Sequence, residues 1–344
     1  MNSAAELARV RETLGMVSAG GVTEQLQAIG SRSVTGLESD APCDLGLAVW
    51  PFPLALEPLA ALGYAPLPGY LGAPEQRFFN RQANVQLFVA EAGSPRFMHY
   101  LLVRDFLQDS AAARRRFRAF KADPGPLDKD GFFATLLPEA KTWWITQRGF
   151  APVTATALEL RDLRVPWFFS SGWAIDIFLN RVTRVHHDID IIVSRADINA
   201  LRAYLGARGW QLVLPLEGKL EPWPPESPLE PDIQIHAHRG GVVLDVQLTK
   251  MDTTTWHYRR DPRLTCPAAQ AFFYTDAGLP YLAPELALLF KSQNTSRERR
   301  ERPQDQHDFE VALPQLSPAQ RAWLLKALTL TDPRHGWLEA LAAT

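Results

Sequence analysis

Trp167-Phe168-Phe169-Ser170-Ser171-Gly172-Trp173, followed sixteen residues after Gly172 by Asp188-Ile189-Asp190-Ile191-Ile192-Val193, is the stretch on which the reading of this chain turns. Each part is an apolar run of strand length rich in aromatic or β-branched residues. The Ser-Gly pair between them marks a tight strand-to-helix turn, and residues 173–180 have helical character. On a strand, residues i and i+2 share a face, so Asp188 and Asp190 project together while Ile189 and Ile191 turn toward the core. Two carboxylates held side by side repel unless a cation lies between them.

Working outward, residues 154–164 read as a helix and 165–170 as the strand that enters the Ser-Gly turn. After 188–193 comes a helix over 197–208 that ends at Gly209. A Pro- and Glu-rich loop over 214–230 precedes strands at 232–237 and 241–248, joined by the tight turn His238-Arg239-Gly240. From Pro284 onward the chain is helical, with further helices at 317–328 and 336–343.

The same sketch recurs upstream. Leu26-Gln27-Ala28-Ile29-Gly30-Ser31 is followed by Cys43-Asp44-Leu45-Gly46-Leu47-Ala48-Val49, and a helix-like stretch over 54–62 ends at Gly63. Residues 101–121 and 132–144 read as helices, with the basic run Arg114-Arg115-Arg116 and Arg118 on a solvated face. Two α/β domains in tandem follow, 1–148 and 149–344, an α+β (mixed α/β) chain whose second domain carries a C-terminal helical extension.

Composition narrows the partners. The 344 residues are 46% hydrophobic and 22% charged, ordinary globular values. Thirty-six basic against 38 acidic side chains give a net charge of -2, no global field for wrapping duplex nucleic acid or lying on an anionic membrane. The apolar run over 280–290 is interrupted by Pro284 and Glu285 and is too short to span a bilayer. Cys43 and Cys266 are too few for a thiolate zinc site or a disulfide framework. A cytoplasmic protein is expected.

A third acid, Asp245, lies in the strand-like run Val242-Val243-Leu244-Asp245-Val246-Gln247-Leu248. Hard carboxylate oxygens suit Mg2+, and a strand-to-helix turn of small residues lets a polyphosphate approach backbone N–H groups. Three acids on neighbouring strands beside such a turn describe a two-metal phosphoryl or nucleotidyl transfer site.

In this order the residues resemble the DNA polymerase β-like nucleotidyltransferases. Ser171-Gly172-Trp173-Ala174-Ile175-Asp176, Arg184, His187-Asp188-Ile189-Asp190, the run from Gly278 to Glu285, Lys291 and Asp305-Gln306-His307-Asp308-Phe309 look like the aminoglycoside 2''-adenylyltransferase and lincosamide nucleotidyltransferase group. Ser171 stands where glycine is commonest. The upstream half resembles the GrpB family in Ile29–Leu37 and His99–Leu107, but Asp44-Leu45-Gly46 lacks a second carboxylate and Asn84–Phe88 carries none. That domain is therefore expected to be catalytically silent.

The resemblance implies an enzyme that uses ATP and two Mg2+ ions, bound by Asp188, Asp190 and Asp245, to adenylylate a hydroxyl of a small molecule, with aminoglycoside-type antibiotics as the acceptor class. Asp245 would also take the hydroxyl proton. Ser171 and Gly172 would cradle phosphate. Arg184 would contact phosphate or pair with an acid, and Lys291 would neutralise phosphate or reach solvent. Asp176 would cap locally or face the site. Asp305 and Asp308, one turn apart, would bind a cationic acceptor or pair with Arg299, Arg300 and Arg302 at a solvated face. Trp256 and Tyr258 read as core or as a stacking platform, and Glu217, Glu221, Glu226 and Glu230 as acids for a polycation. A protein or tRNA acceptor, or a nucleotide-binding protein without turnover, are the alternatives.

Overall fold

Apolar runs bounded by turn residues become the strands, and those carrying the acids lie inside their sheets. The computed structural model describes residues 7–10, 12, 22–37, 42–50, 52, 57–68, 75–91, 93–126, 128–216, 219–227, 234–240, 242–292 and 302–343. The chain divides into two compact units, Met1–Gln147 with His238–Val243, and Arg148–Ala237 with Leu244–Thr344. Among the described residues no helix is long and apolar enough to cross a membrane.

The first unit holds β1 (Val22–Ile29), β2 (Cys43–Trp50), β3 (Ala65–Pro66), β4 (Glu75–Asn80) and β5 (Val85–Glu91), in the order β1-β2-β5-β4-β3. Only β2 and β5 run parallel. Period-two alternation divides the sheet between two cores. Leu45, Leu47, Val85, Leu87 and Val89 face one cluster, while Ala48, Phe88 and Ala90 pack with Phe97 and Leu101 on the other side. Its helices are α1 (Glu57–Ala61), α2 (Pro95–Asp109), α3 (Ala111–Ala122) and α4 (Lys129–Arg148).

The helix expected over 101–121 is two helices. Ser110 takes extended dihedrals between α2 and α3, and its hydroxyl accepts from the Ala113 amide as the N-cap of α3. The arginines of that run are engaged: Arg116 pairs with Glu139, and Arg114 and Arg118 donate to backbone carbonyls.

The second sheet contains β6 (Trp167–Phe169), β7 (Ile189–Ser194), β8 (Gln211–Leu216), β9 (Lys219–Pro222), β10 (Gln234–Arg239), β11 (Val242–Met251), β12 (Thr255–His257), β13 (Thr265–Pro267), β14 (Phe272–Tyr274) and β15 (Pro280–Leu282). The main path is β14-β15-β6-β7-β11-β10-β8-β9, with β12 and β13 branching from β11. The region expected as a loop from 214 carries β9, paired antiparallel with β8. Around this sheet are α5 (Ala151–Glu159), α6 (Ser171–Phe178), α7 (Ile198–Gly206), α8 (Ala268–Ala271), α9 (Pro284–Ser292), α10 (Pro303–Ala312), α11 (Pro318–Thr331) and α12 (Trp337–Ala342), the last four forming the expected extension. One core joins Ala174 and Ile175 of α6, Leu286 and Leu289 of α9, Leu324 and Leu328 of α11, and Trp256. Trp256 and Tyr258 are core residues, as their apolar context allowed.

Both units repeat one register. In the first, Ile29 of β1 lies opposite Asp44, and Asp44 stands beside Gln86 of the parallel strand β5. In the second, the Ser170 amide donates to the Asp190 carbonyl at 2.9 Å, and Asp190 stands beside Asp245 of the parallel strand β11. The next residue in each, Gly30 and Ser171, has positive φ, at 77° and 54°. Asp44 is thus the counterpart of Asp190, Gln86 of Asp245, and Pro42 of Asp188.

Glu285, in the first turn of α9, is 6% exposed and accepts from Gln320 at 2.9 Å. Burial raises its pKa to about 7. The folded state therefore holds a proton that the unfolded chain releases near its ordinary pKa, so this contribution is present below that value and lost as pH rises toward 7. Unfolding free energy measured by urea should fall between pH 4.5 and 7.5 by up to about 3 kcal/mol from this group. Glu285→Gln should flatten that part of the profile.

Candidate active site

β6 delivers the chain to a turn where two backbone constraints meet. Ser171 adopts φ of 54°, in the left-handed region, at about 1 kcal/mol for a residue with a Cβ. This is the position at which the sequence departs from glycine. Gly172 answers to space instead: an added Cβ would fall onto the Arg184 guanidinium and lie 2.8 Å from His186 Cε1. A small residue here lets two side chains of the following loop close over α6.

That loop is tied down from within. Asp176, fully buried, accepts from the Thr183 amide at 3.1 Å and hydroxyl at 2.6 Å, and contacts His186 Nε2 at 2.7 Å. Burial, with the Arg184 charge, pushes the His186 pKa down against the raising effect of Asp176. Trp173 stacks on it at 4.0 Å and donates from its indole to the Asp188 carbonyl at 2.9 Å. Asp176 is a local anchor.

Asp190 and Asp245 stand side by side on β7 and β11, while Asp188, expected to open the strand, lies just before β7 and acts on both through its charge. All six residues of β7 are buried, and Ile192, on the same face as Asp190, belongs to the core with α6 and α9. Asp190 is 8% exposed and accepts from Gln247 at 3.3 Å. Asp245 accepts at Oδ2 from Gln234 at 2.8 Å, while its buried Oδ1 has no hydrogen-bond partner among the described residues. Burial, then the charges of Asp188 and Asp245, holds the Asp190 pKa well above the usual carboxylate range. Burial, then Asp188, raises Asp245 to about 7. Among the described residues no three His, Cys, Asp or Glu side chains form a ready-made metal-ligand set. The donor chemistry is nevertheless that of a hard cation: oxygen ligands, mutual repulsion and one buried acceptor left unsatisfied.

Arg184 and Lys291 converge on a different partner. Arg184 grips Asp308 with two bonds of 2.8 and 2.9 Å, and Lys291 pairs with Asp308 at 2.7 Å and Asp305 at 2.8 Å. Asp308 is fully buried and Lys291 is 7% exposed. Burial disfavours the Asp308 carboxylate, but the Arg184 hydrogen bonds and both cations outweigh it and hold its pKa at about 2. Neither sequence expectation for Asp308, acceptor binding or a solvated face, describes a group enclosed by two cations. Asp305 is buried too and also pairs with Arg302 at 3.4 Å, while 299 and 300 lie outside the described residues.

Ser171, Gly172, Arg184, Asp188, Asp190, Asp245 and Lys291 all belong to the second unit. Asp190 feels the charges of Lys291 and Arg184. Sequence reasoning missed Gln247 and Gln234; Gln247 was legible as the same-face neighbour of Asp245, two residues on. Glu221 and Glu226 are exposed, and Glu217 and Glu230 lie outside the described residues.

Asp308→Asn would leave the buried Lys291 and the partly buried Arg184 facing a neutral amide, costing about 3–5 kcal/mol in urea unfolding. Gly172→Ala should cost about 1–3 kcal/mol by displacing Arg184, whereas Ser171→Gly should keep or slightly raise stability, since relief of the left-handed strain opposes glycine's larger chain entropy.

Family models match both halves: GrpB protein over residues 2–127, and aminoglycoside-2''-adenylyltransferase over residues 153–218. The second match includes the turn, Arg184, Asp188 and Asp190 and ends before Asp245. No curated protein matches the chain. Among solved structures, ANT(2'')-Ia in complex with adenylyl-2''-tobramycin is 17% identical, covering 53% of this chain and 99% of its own, with a TM-score of 0.40. GrpB from Enterococcus faecalis is 17% identical, covering 41% and 94%, at 0.32. The lincosamide adenylyltransferase LnuA bound to lincomycin is 17% identical, covering 46% and 93%, at 0.34. The chain thus carries a segment similar to GrpB protein, followed by a segment similar to aminoglycoside-2''-adenylyltransferase.

Proposed function

We propose that the second unit transfers AMP from ATP to a hydroxyl of a small molecule of the aminoglycoside class, and that the first unit has no such activity. The observation that carries this is the pairing of Asp190 with Asp245 in register on parallel strands, beside the turn at Ser171-Gly172. The family match supplies the reaction class.

Asp188, Asp190 and Asp245 would hold Mg2+, two ions on the family pattern, which when bound neutralises polyphosphate charge. Asp245 accepts the proton of the attacking hydroxyl. The hydroxyl oxygen bonds to the α-phosphorus as the bond from that phosphorus to the β-bridging oxygen breaks, and pyrophosphate leaves. Ser171 and Gly172 lie where phosphate approaches the start of α6. Arg184 and Lys291, fixed on Asp308, lend positive charge that reaches Asp190.

Pyrophosphate release from ATP and Mg2+ should appear with an aminoglycoside or lincosamide from a panel and fall at least 100-fold in Asp190→Asn, with the fold retained by circular dichroism. Absence of acceptor-dependent release across that panel, with ATP binding intact, would overturn the antibiotic assignment and turn attention to macromolecular acceptors.

A further inference from the structure

The first unit keeps a cleft where its counterpart of the catalytic pair lies. Asp44 and Gln86, side by side on β2 and β5, line a cavity of about 230 Å3. A side chain at Gly30 would fall on the Asp44 carboxylate, so glycine leaves that wall open. Two changes separate this cleft from the pair in the second unit. Gln86 replaces the second carboxylate, and the Lys129 ammonium sits on Asp44 Oδ2 at 2.5 Å. A protein cation thus occupies the carboxylate that elsewhere awaits a metal.

The remaining lining sets the ligand's character. Asp44, Asp128 and Asp130 line it together with Arg77 and Lys129, and Asp130 is also paired with Arg96 at 3.1 Å. Arg77 is already matched by Glu75 at 3.0 Å and Asp130 at 3.3 Å, whereas the half-exposed Lys129 is tied to Asp44 by a surface ion pair from which its chain can swing into solvent. Aromatic walls come from Phe88 and Phe133, with the Lys129 ammonium over the Phe133 ring at 5.8 Å. A ligand ammonium suits both features, since it can take the Lys129 position on the carboxylate and over the ring. The Gln86 amide both donates and accepts, which suits a hydroxyl. The volume is below that of drug-sized pockets, roughly 300 Å3 upward.

We infer that the cleft of the first unit is a metal-independent binding site for a small hydroxylated amine, in which Lys129 is the resident cation that the ligand's ammonium displaces. The inference is independent of the acceptor assigned to the second unit.

The test is calorimetric titration of the full chain with 2-deoxystreptamine in EDTA. Asp44→Asn and Gln86→Ala should each weaken binding about tenfold, Lys129→Met should tighten it at least threefold by removing the competitor, and Asp190→Asn in the second unit should leave it unchanged. Replacing EDTA with Mg2+ should also change nothing. Lys129 is half exposed at the surface, so its replacement leaves folding intact and the gain in affinity is readable by itself. No binding, binding that all three first-unit variants leave unmoved, a requirement for Mg2+, or a preference for myo-inositol monophosphate over 2-deoxystreptamine would each overturn the inference.

Discussion

Parallel register between β7 and β11 is the constraint on which the site depends. It sets Asp190 beside Asp245 and, through the Ser170 amide on the Asp190 carbonyl, fixes the turn into α6 against the same strand. A slip of one residue would turn Asp190 into the opposite face and bring Ile189 or Ile191 forward. Burial on both faces of β7 prevents that slip, because each of its six residues has a fixed environment. The same burial makes the carboxylates costly to ionise.

The second level of organisation is the buried ionic cluster of Arg184, Asp308, Lys291 and Asp305. Desolvation of four charges is repaid by short, mutual bonds, including a two-pronged guanidinium–carboxylate contact. The cluster connects the loop before β7 to α9 and α10, so the C-terminal helices help to shape the turn at Gly172. Asp305 extends it to Arg302, and its cations act on Asp190 through their charge.

Much of this was legible in the sequence because it is local. The Asp-x-Asp strand, the Ser-Gly turn, the tandem repeat and the helical extension follow from alternation, turn chemistry and apolar periodicity over windows of ten residues or so. What escaped reading depends on long-range contact. Asp308 meets Arg184 across 124 residues, and nothing local distinguishes a buried Asp-x-x-Asp face from a solvated one. Ser110 splits one apparent helix because a serine can cap as well as continue, and the choice is made by packing. β9 hid in a proline-rich stretch that reads as loop.

The tandem arrangement shows how one register can carry two outcomes. Asp44 retains the position of Asp190, yet Gln86 and Pro42 stand at the positions of Asp245 and Asp188, and Lys129 pairs with Asp44. The central claim is that the aligned acids of the second unit alone form a divalent-cation site. Electron paramagnetic resonance of Mn2+ titrated into the full chain tests it most directly. The account predicts binding that is lost in Asp190→Asn and in Asp245→Asn and unaffected by Asp44→Asn. Binding that survives both second-unit substitutions, or that depends on Asp44, would contradict it.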